Sequence, residues 1–369
     1  MDVLYLSISM GAGHLRAAEA LKEYVDQRYP DSRALVIDTF KYINPVVHKI
    51  FVDGYLNIIK NVPFAYGALY KMSEQIDNMN KLSNALSKIF SYKLVKVIKE
   101  FNPSIIVCTH PFPLQIVSCL KKEKKIDIPS VGLLTDYVNH PFWFHDNIDA
   151  YVVAHNKIKM DMVRCGILES RIYSCGIPVS KVFLRRSPRD RLLEKFGLED
   201  KFTVLVMGGS LGFGDIKRVF LSLLKSKRDI QLIVVTGKNK RLRQQLQSYV
   251  IQYDKKVLLI GYTNEICDLM DISDLVLTKP GGMTISEALV KELPIFLMSP
   301  IPGQEERNSS FLTSNGVAEK IDTEMGVHSI INEVLDNPNR LLCMKEKSKN
   351  LSLPNSGYEI VNLMEELVI

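Results

Sequence analysis

The chain has 369 residues, 46% of them hydrophobic and 24% charged, with a net charge of +6. At roughly 150 residues per domain, this length predicts two globular domains with proper cores. No apolar run reaches the roughly 18 residues of a spanning helix, and Cys108, Cys119, Cys165, Cys175, Cys267 and Cys343 form no C-x-x-C pair, so reduced thiols and no zinc site are expected.

Residues 3–9 form an apolar run that reads as a buried strand rather than a signal peptide, since Asp2 stands where a basic start belongs. Gly11 and Gly13 close the run. Residues 14–28 then show helical spacing through Leu15, Ala18, Leu21 and Val25. Further short strands are expected at 34–40, 104–109, 130–135 and 150–154. Strands separated by helices favour parallel pairing in a doubly wound α/β sheet.

Between 40 and 101 the alternation lapses. The stretch reads as several helices broken at Pro45 and Pro63, too long for a plain connection. Lys41, Lys49, Lys60, Lys71, Lys81, Lys88, Lys93, Lys96 and Lys99 outnumber Asp53, Glu74, Asp77 and Glu100 there. Such a basic surface attracts nucleic acid or anionic lipid, or is a solvated charged face.

Arg185, Arg186, Ser187, Pro188 and Arg189 read as an interdomain linker. The expected domains are 1–184 and 190–355. After the linker the rhythm restarts. A strand at 203–207 leads to Gly208-Gly209-Ser210, one at 231–235 to Thr236-Gly237, and one at 257–260 to Gly261-Tyr262-Thr263. A strand at 275–278 leads to Pro280-Gly281-Gly282, and one at 295–298 to Ser299-Pro300. In open α/β sheets, ligands bind at that carboxyl edge.

Three motifs carry chemistry. In Ser9-Met10-Gly11-Ala12-Gly13-His14, a dinucleotide fingerprint fails because Arg16 occupies the third glycine position. His14, at a helix start, either takes a proton from an attacking hydroxyl or packs at the turn. In Pro280-Gly281-Gly282-Met283-Thr284-Ile285-Ser286-Glu287, exposed N–H groups and the helix dipole suit a pyrophosphate, with Glu287 one turn on for ribose hydroxyls. Residues 208–214, 261–263 and 302–308 converge on the same edge. The last brings Gln304, Glu305 and Asn308, groups that sugar hydroxyls need. The third motif, Thr135-Asp136-Tyr137-Val138-Asn139-His140-Pro141-Phe142-Trp143, suits a sugar or acceptor pocket or a structural turn, as does His110 after its strand. No D-x-D pair occurs, so helix N-termini rather than a divalent metal are expected to balance a leaving diphosphate.

These motifs together resemble glycosyltransferase family 28, in the branch of monogalactosyldiacylglycerol synthases and bacterial diacylglycerol glucosyltransferases. The resemblance runs over nearly the whole chain. It rests on Gly11-Ala12-Gly13-His14 with Arg16-Ala17-Ala18-Glu19-Ala20, on Thr135-Asp136-Tyr137 with His140 and Trp143, on 279–289 and on 302–308. Ala12 stands where the family more often has glycine. The resemblance implies a GT-B fold, two Rossmann-like domains facing across a cleft, with a closing helix at 356–369 packing back on the first domain. It implies inverting transfer of glucose or galactose from a UDP-sugar to diacylglycerol, with no cofactor and no essential metal. His14 would be the base. Gly281 and Gly282 would hold the diphosphate, Glu287 the ribose, and Gln304, Glu305 and Asn308 the sugar and nearby phosphate. Tyr262 and its neighbours would face the uracil. Gly13, Gly208, Ser210, Thr263, Pro280, Met283 and Thr284 complete the expected donor site. His110, Asp136, Tyr137, His140 and Trp143 form the expected acceptor pocket.

A lipid acceptor gives the basic stretch a purpose. Phe51, Tyr55, Phe64, Tyr66, Tyr70, Phe90 and Tyr92 among the lysines suit an anionic membrane surface, or they pack the first domain. The expectation is a cytoplasmic protein held peripherally at the inner face of the cell membrane, without a nucleic-acid partner. Three alternatives keep the donor site: a polyprenyl-linked sugar as acceptor, a UDP-sugar 2-epimerase, or a non-catalytic UDP-sugar sensor.

Overall fold

The computed structural model describes residues 1–46, 48–50, 54, 58, 67, 91–212, 214–298, 300–321 and 326–369. It divides into two compact units. One comprises Met1–Lys181, Pro302–Gln304 and Leu353–Ile369; the other comprises Val182–Ile301 and Glu305–Ser352.

The first unit is built on six parallel strands: β1 (Val3–Ser7), β2 (Ala34–Asp38), β3 (Ile105–Cys108), β4 (Ser130–Leu133), β5 (Ala150–Val152) and β6 (Ile172–Tyr173). Their order is β2-β1-β3-β4-β5-β6. The connections carry α1 (Gly13–Arg28), α2 (Thr39–Ile43), α3 (Pro111–Lys122) and α4 (Asn156–Arg164). Every residue of β1, β3, β4 and β5 is buried, as parallel strands covered on both faces must be. In α1 the buried stripe is Ala17, Ala18, Ala20, Leu21, Tyr24 and Val25; the small residues let the helix lie close to the sheet.

The strand expected at 34–40 stops at Asp38, whose carboxylate caps α2 by accepting from Lys41 N–H at 3.2 Å. Capping at that point outweighs the β-forming character of the next residues. The two-residue edge strand β6 carries too little periodicity to be read from sequence. The membrane-facing expectation for Phe51, Tyr55, Phe64, Tyr66, Tyr70 and Phe90 falls outside the described residues. Tyr92 is described and is 78% exposed.

The second unit repeats the design. Its strands are β7 (Phe202–Met207), β8 (Ile230–Val235), β9 (Val257–Ile260), β10 (Leu275–Thr278), β11 (Ile295–Leu297) and β12 (Ala318–Lys320), all parallel in the order β12-β11-β10-β7-β8-β9. Its helices are α5 (Arg189–Phe196), α6 (Ile216–Leu224), α7 (Lys240–Val250), α8 (Ile266–Asp271), α9 (Gly282–Val290), α10 (Gln304–Ser314), α11 (Gly326–Asp336) and α12 (Asn339–Leu351). Val204, Val206, Phe220, Leu232, Leu277 and Phe296 sit at the centre of its core. The basic segment before α5 is bonded onto this unit. Lys291, with a side chain 1% exposed, pairs with Asp271 and donates to the Arg185 carbonyl, while Arg186 donates to the Lys291 carbonyl.

A last helix, α13 (Ser356–Val368), belongs to the first unit and packs on α1. Gly357 lies so close to the Tyr24 ring that a methyl group there would sit 2.3 Å from it. Tyr24 in turn donates to the Val179 carbonyl at 3.0 Å, and Glu365 joins Arg28 at 3.0 Å and Tyr29 at 2.6 Å.

In both sheets the chain order reverses beside a central strand. The reversal falls between β1 and β3 in the first unit and between β7 and β10 in the second. Such switch points open a crevice at the strands' carboxyl ends.

Candidate active site

In the first unit, β1 runs into a turn at Gly11, whose φ of +90° suits glycine, and α1 begins two residues later. No side chain caps α1. Ser9 anchors the turn by donating its N–H to Asp38 at 3.3 Å and bonding the His48 ring at 3.0 Å.

His14 stands on the first turn of α1. Its Nδ1 lies 2.7 Å from the Thr109 carbonyl oxygen and 2.8 Å from Thr135 Oγ1. A carbonyl only accepts, so Nδ1 carries the hydrogen and Nε2 keeps its lone pair. Desolvation by the surrounding protein lowers the imidazole pKa to about 4, against a smaller upward pull from the Thr109 bond. The residue as a whole is only partly buried. His14 is therefore neutral at physiological pH, and among the described residues its basic Nε2 has no hydrogen-bond partner.

The His110 ring meets His14 edge-on, with centroids 4.8 Å apart. Burial, reinforced by His14, holds its pKa well below the usual histidine range. His110 is the N-cap of α3, where its Nδ1 accepts from Phe112 N–H at 3.1 Å. His140 and His155 do the same for the turn Pro141–Trp143 and for α4, at 3.2 and 3.1 Å. Each cap needs an unprotonated Nδ1. Trp143 and Tyr137 are buried, at 5% and 6% exposure, and the turn bearing Trp143 packs on α3. Gln304, the first residue of α10 and the one residue of that helix that falls in the first unit, donates its side-chain amide to the Asp136 carboxylate. His14, Thr109, Thr135 and His110 thus converge; the sequence marks Thr135 only as the start of its motif, and it gives neither threonine a bond to His14. Both follow buried strands of one parallel sheet, which is the signal that could have paired them.

In the second unit the registered strands β7 and β10 end side by side, Met207 opposite Thr278. Gly208 and Lys279 therefore start adjacent loops. Gly281 is the N-cap of α9 with φ −79° and ψ 130°, no side chain caps the helix, and a methyl group at Gly281 would meet nothing within 4 Å. The first N–H groups of α9 thus lack a side-chain cap, the arrangement that suits an anion. Met283 and Glu287 are buried on this helix, Thr284 is partly exposed, and Ser286 Oγ donates back to the Gly282 carbonyl at 2.9 Å.

Asn308, fully buried on α10, donates to the Pro280 carbonyl at 3.0 Å. Glu305 accepts from Lys279 Nζ at 2.7 Å and from Ile301 N–H at 2.8 Å. The carboxylate expected to meet a sugar is thus engaged in holding the turn. Gly209 and Gly212 have φ of +70° and +60° in the loop after β7. The next loop lies against it, where Lys238 N–H donates to the Ser210 carbonyl at 2.9 Å. Tyr262 is 51% exposed with Lys238 Nζ 5.4 Å from its ring centroid, and Thr263 Oγ1 accepts from Glu265 N–H at 3.0 Å.

A family model for monogalactosyldiacylglycerol synthase matches residues 14–179, and one for the glycosyltransferase family 28 C-terminal domain matches 203–359. The processive diacylglycerol beta-glucosyltransferase of Bacillus licheniformis is 30% identical over 362 residues, 98% of this chain and 93% of the relative. Its Bacillus subtilis counterpart is 29% identical over 361 residues, 97% and 93% of the two chains. Among solved structures, Acinetobacter baumannii MurG aligns with a TM-score of 0.60 at 14% identity, covering 99% of both chains. UDP-GlcNAc 2-epimerase from Neisseria meningitidis, bound to UDP-GlcNAc, aligns at 0.63 and 14%, covering 99% of this chain and 100% of that one. These structural likenesses show the fold, which is GT-B. The chain belongs to glycosyltransferase family 28, in the branch of monogalactosyldiacylglycerol synthases and bacterial diacylglycerol glucosyltransferases.

Proposed function

We propose that this glycosyltransferase moves glucose from UDP-glucose to the hydroxyl of diacylglycerol, with inversion at the anomeric carbon and without an essential metal. The observation that carries the reading is the state of His14: neutral, with Nδ1–H held by the Thr109 carbonyl and Nε2 without a partner among the described residues. Nε2 takes the acceptor's proton as its oxygen attacks the anomeric carbon. The bond from that carbon to the diphosphate breaks, and UDP leaves with the electron pair. A single displacement inverts the centre. The open N-terminus of α9 offsets the charge developing on UDP, the task a metal performs elsewhere.

In this reading Gly281 and Gly282 leave room for the diphosphate and Glu287 meets the ribose. Tyr262 and Thr263 border the uracil, with Gly13, Gly208, Ser210, Pro280, Met283 and Thr284 around the donor. Gln304 meets the hexose, while Glu305 and Asn308 set the loops around it. His110, Asp136, Tyr137, His140 and Trp143 border the acceptor. Glucose is preferred over galactose because the curated relatives at about 30% identity are named glucosyltransferases. A diacylglycerol acceptor requires peripheral binding at an anionic bilayer. Among the described residues, no helix is long and apolar enough to cross a membrane.

The test incubates the protein with radiolabelled UDP-glucose or UDP-galactose and vesicles of diacylglycerol with anionic phospholipid. Labelled glycolipid from UDP-glucose is expected, unaffected by a chelator. No glycolipid from either donor overturns the reading, and conversion of the UDP-sugar without lipid replaces it with epimerisation. His14→Ala should abolish transfer while UDP still binds; full activity in that variant removes His14 from the base role.

A further inference from the structure

Strands β3 and β4 are parallel neighbours, with Cys108 opposite Gly132. Just past their ends they present the Thr109 carbonyl and the Thr135 hydroxyl to one atom, His14 Nδ1, at 2.7 and 2.8 Å. That nitrogen has one hydrogen. The carbonyl can only accept it, so the hydroxyl oxygen, facing the same N–H, accepts as well. Thr135 is 4% exposed, and a β-branched side chain has few rotamers, so its oxygen is held in place.

A base that takes a proton becomes an imidazolium, and its far nitrogen then needs an acceptor. A carboxylate often fills that place. Among the described residues no carboxylate bonds the His14 ring, and the titratable ring packed against it is that of His110, 4.8 Å away by centroid.

We propose that Thr135 is a positioning residue for the transfer reaction: its hydroxyl oxygen, with the Thr109 carbonyl, holds His14 in the tautomer that exposes Nε2 and receives the charge of the imidazolium where a carboxylate would otherwise stand. The inference rests on His14 being the base. The Thr109 carbonyl belongs to the backbone and cannot be removed by substitution, so Thr135 is the accessible half of the device.

The experiment compares Thr135→Val, which keeps the shape and removes the oxygen, with Thr135→Ser, which keeps the oxygen. With UDP-glucose and diacylglycerol vesicles, Thr135→Val should lower kcat about tenfold, the size of effect expected when a base loses a charge-stabilising partner. KM for UDP-glucose should stay within about twofold, since no bond to the donor is touched. Thr135→Ser should recover most of kcat. Full kcat in the Val variant, or a Ser variant as slow as Val, overturns the proposal. A second measurement needs no turnover. In protein with nitrogen-15 histidine, the Nδ1–H proton resonance of His14, assigned by its loss in His14→Gln, should move upfield in Thr135→Val and return in Thr135→Ser. An unmoved resonance overturns the proposal even if the acceptor has been misidentified, whereas a moved resonance in a protein that makes no glycolipid faults only the function proposed above.

Discussion

The ammonium of Lys279 donates to the carboxylate of Glu305 across 2.7 Å, tying the turn after β10 to the start of α10. Both side chains are mostly buried, at 15% and 16% exposure. Removing one partner leaves the other charge without compensation, which costs more than removing both. Glu305→Ala should therefore lose about 2 kcal/mol in urea unfolding. Adding Lys279→Met should restore part of it. A double variant no more stable than Glu305→Ala would show that the pair holds nothing. The second oxygen of Glu305 also holds Ile301 N–H, so UDP affinity should fall in the single variant by calorimetry.

Gly281 separates folding from binding. Its φ of −79° is open to any residue, and a methyl group there would meet no protein atom within 4 Å. Gly281→Ala should fold with a loss of no more than about 1 kcal/mol, since alanine is a poorer N-cap than glycine, while UDP affinity falls about tenfold or more as the methyl group enters the space over the helix start. Gly212→Ala should behave in the opposite way. Its φ is +60° and a methyl group would lie 2.1 Å from the Thr236 carbonyl oxygen, so the loss should appear in stability first, about 2 kcal/mol or more. Unchanged UDP binding by Gly281→Ala would move the diphosphate away from α9.

The contrast between these glycines shows what sequence could carry. The alternation of apolar runs and helical spacing sufficed for two parallel-sheet units, because strands buried on both faces have few other solutions. Pro280-Gly281-Gly282 was legible as a turn before a helix for the same local reason. Contacts between distant segments were not. Nothing in the sequence says that Thr109 and Thr135 reach one nitrogen of His14, since that depends on the register of β3 and β4 and on where each strand stops. The ion pair of Glu305 with Lys279 was hidden on similar grounds. A carboxylate at a helix start reads as open to ligand until Lys279, 26 residues away, is seen to occupy it. The edge strands β6 and β12, of two and three residues, are too short to show a period.

The His14 environment sets a pH dependence for activity. With its pKa lowered to about 4 by desolvation, the ring stays neutral through the whole range in which an ordinary histidine would protonate. Transfer should be nearly flat from about pH 8 to pH 6 and decline only below about pH 5. The profile of kcat/KM for UDP-glucose, taken with saturating vesicles and corrected for unfolded protein, measures it. A midpoint near 6.5 would mean that the base is solvated like a free imidazole and that the enclosure around His14 has no functional weight.

The same burial makes the first unit sensitive to acid. His14 and His145 have pKa values lowered to about 4, and His110 lies well below its ordinary value, in each case chiefly through desolvation. Between pH 6.5 and about 4 the unfolded chain binds protons at these rings and the folded chain does not, so stability is full above 6.5 and is lost as pH falls through this window. A fully protected ring would cost about 2 kcal/mol on going from pH 6.5 to 5. Partial solvent exposure reduces that to about 1 kcal/mol each for His14 and His145, and His110 adds to the loss in the same direction. Urea midpoints at pH 7.5, 6.5 and 5.5 should decline in that order. His110→Asn tests the cause, because asparagine can still cap α3 by accepting the Phe112 N–H but does not titrate. That variant should match the parent at pH 5.5 more closely than at pH 7.5. An identical pH slope in parent and variant would assign the acid sensitivity to other groups.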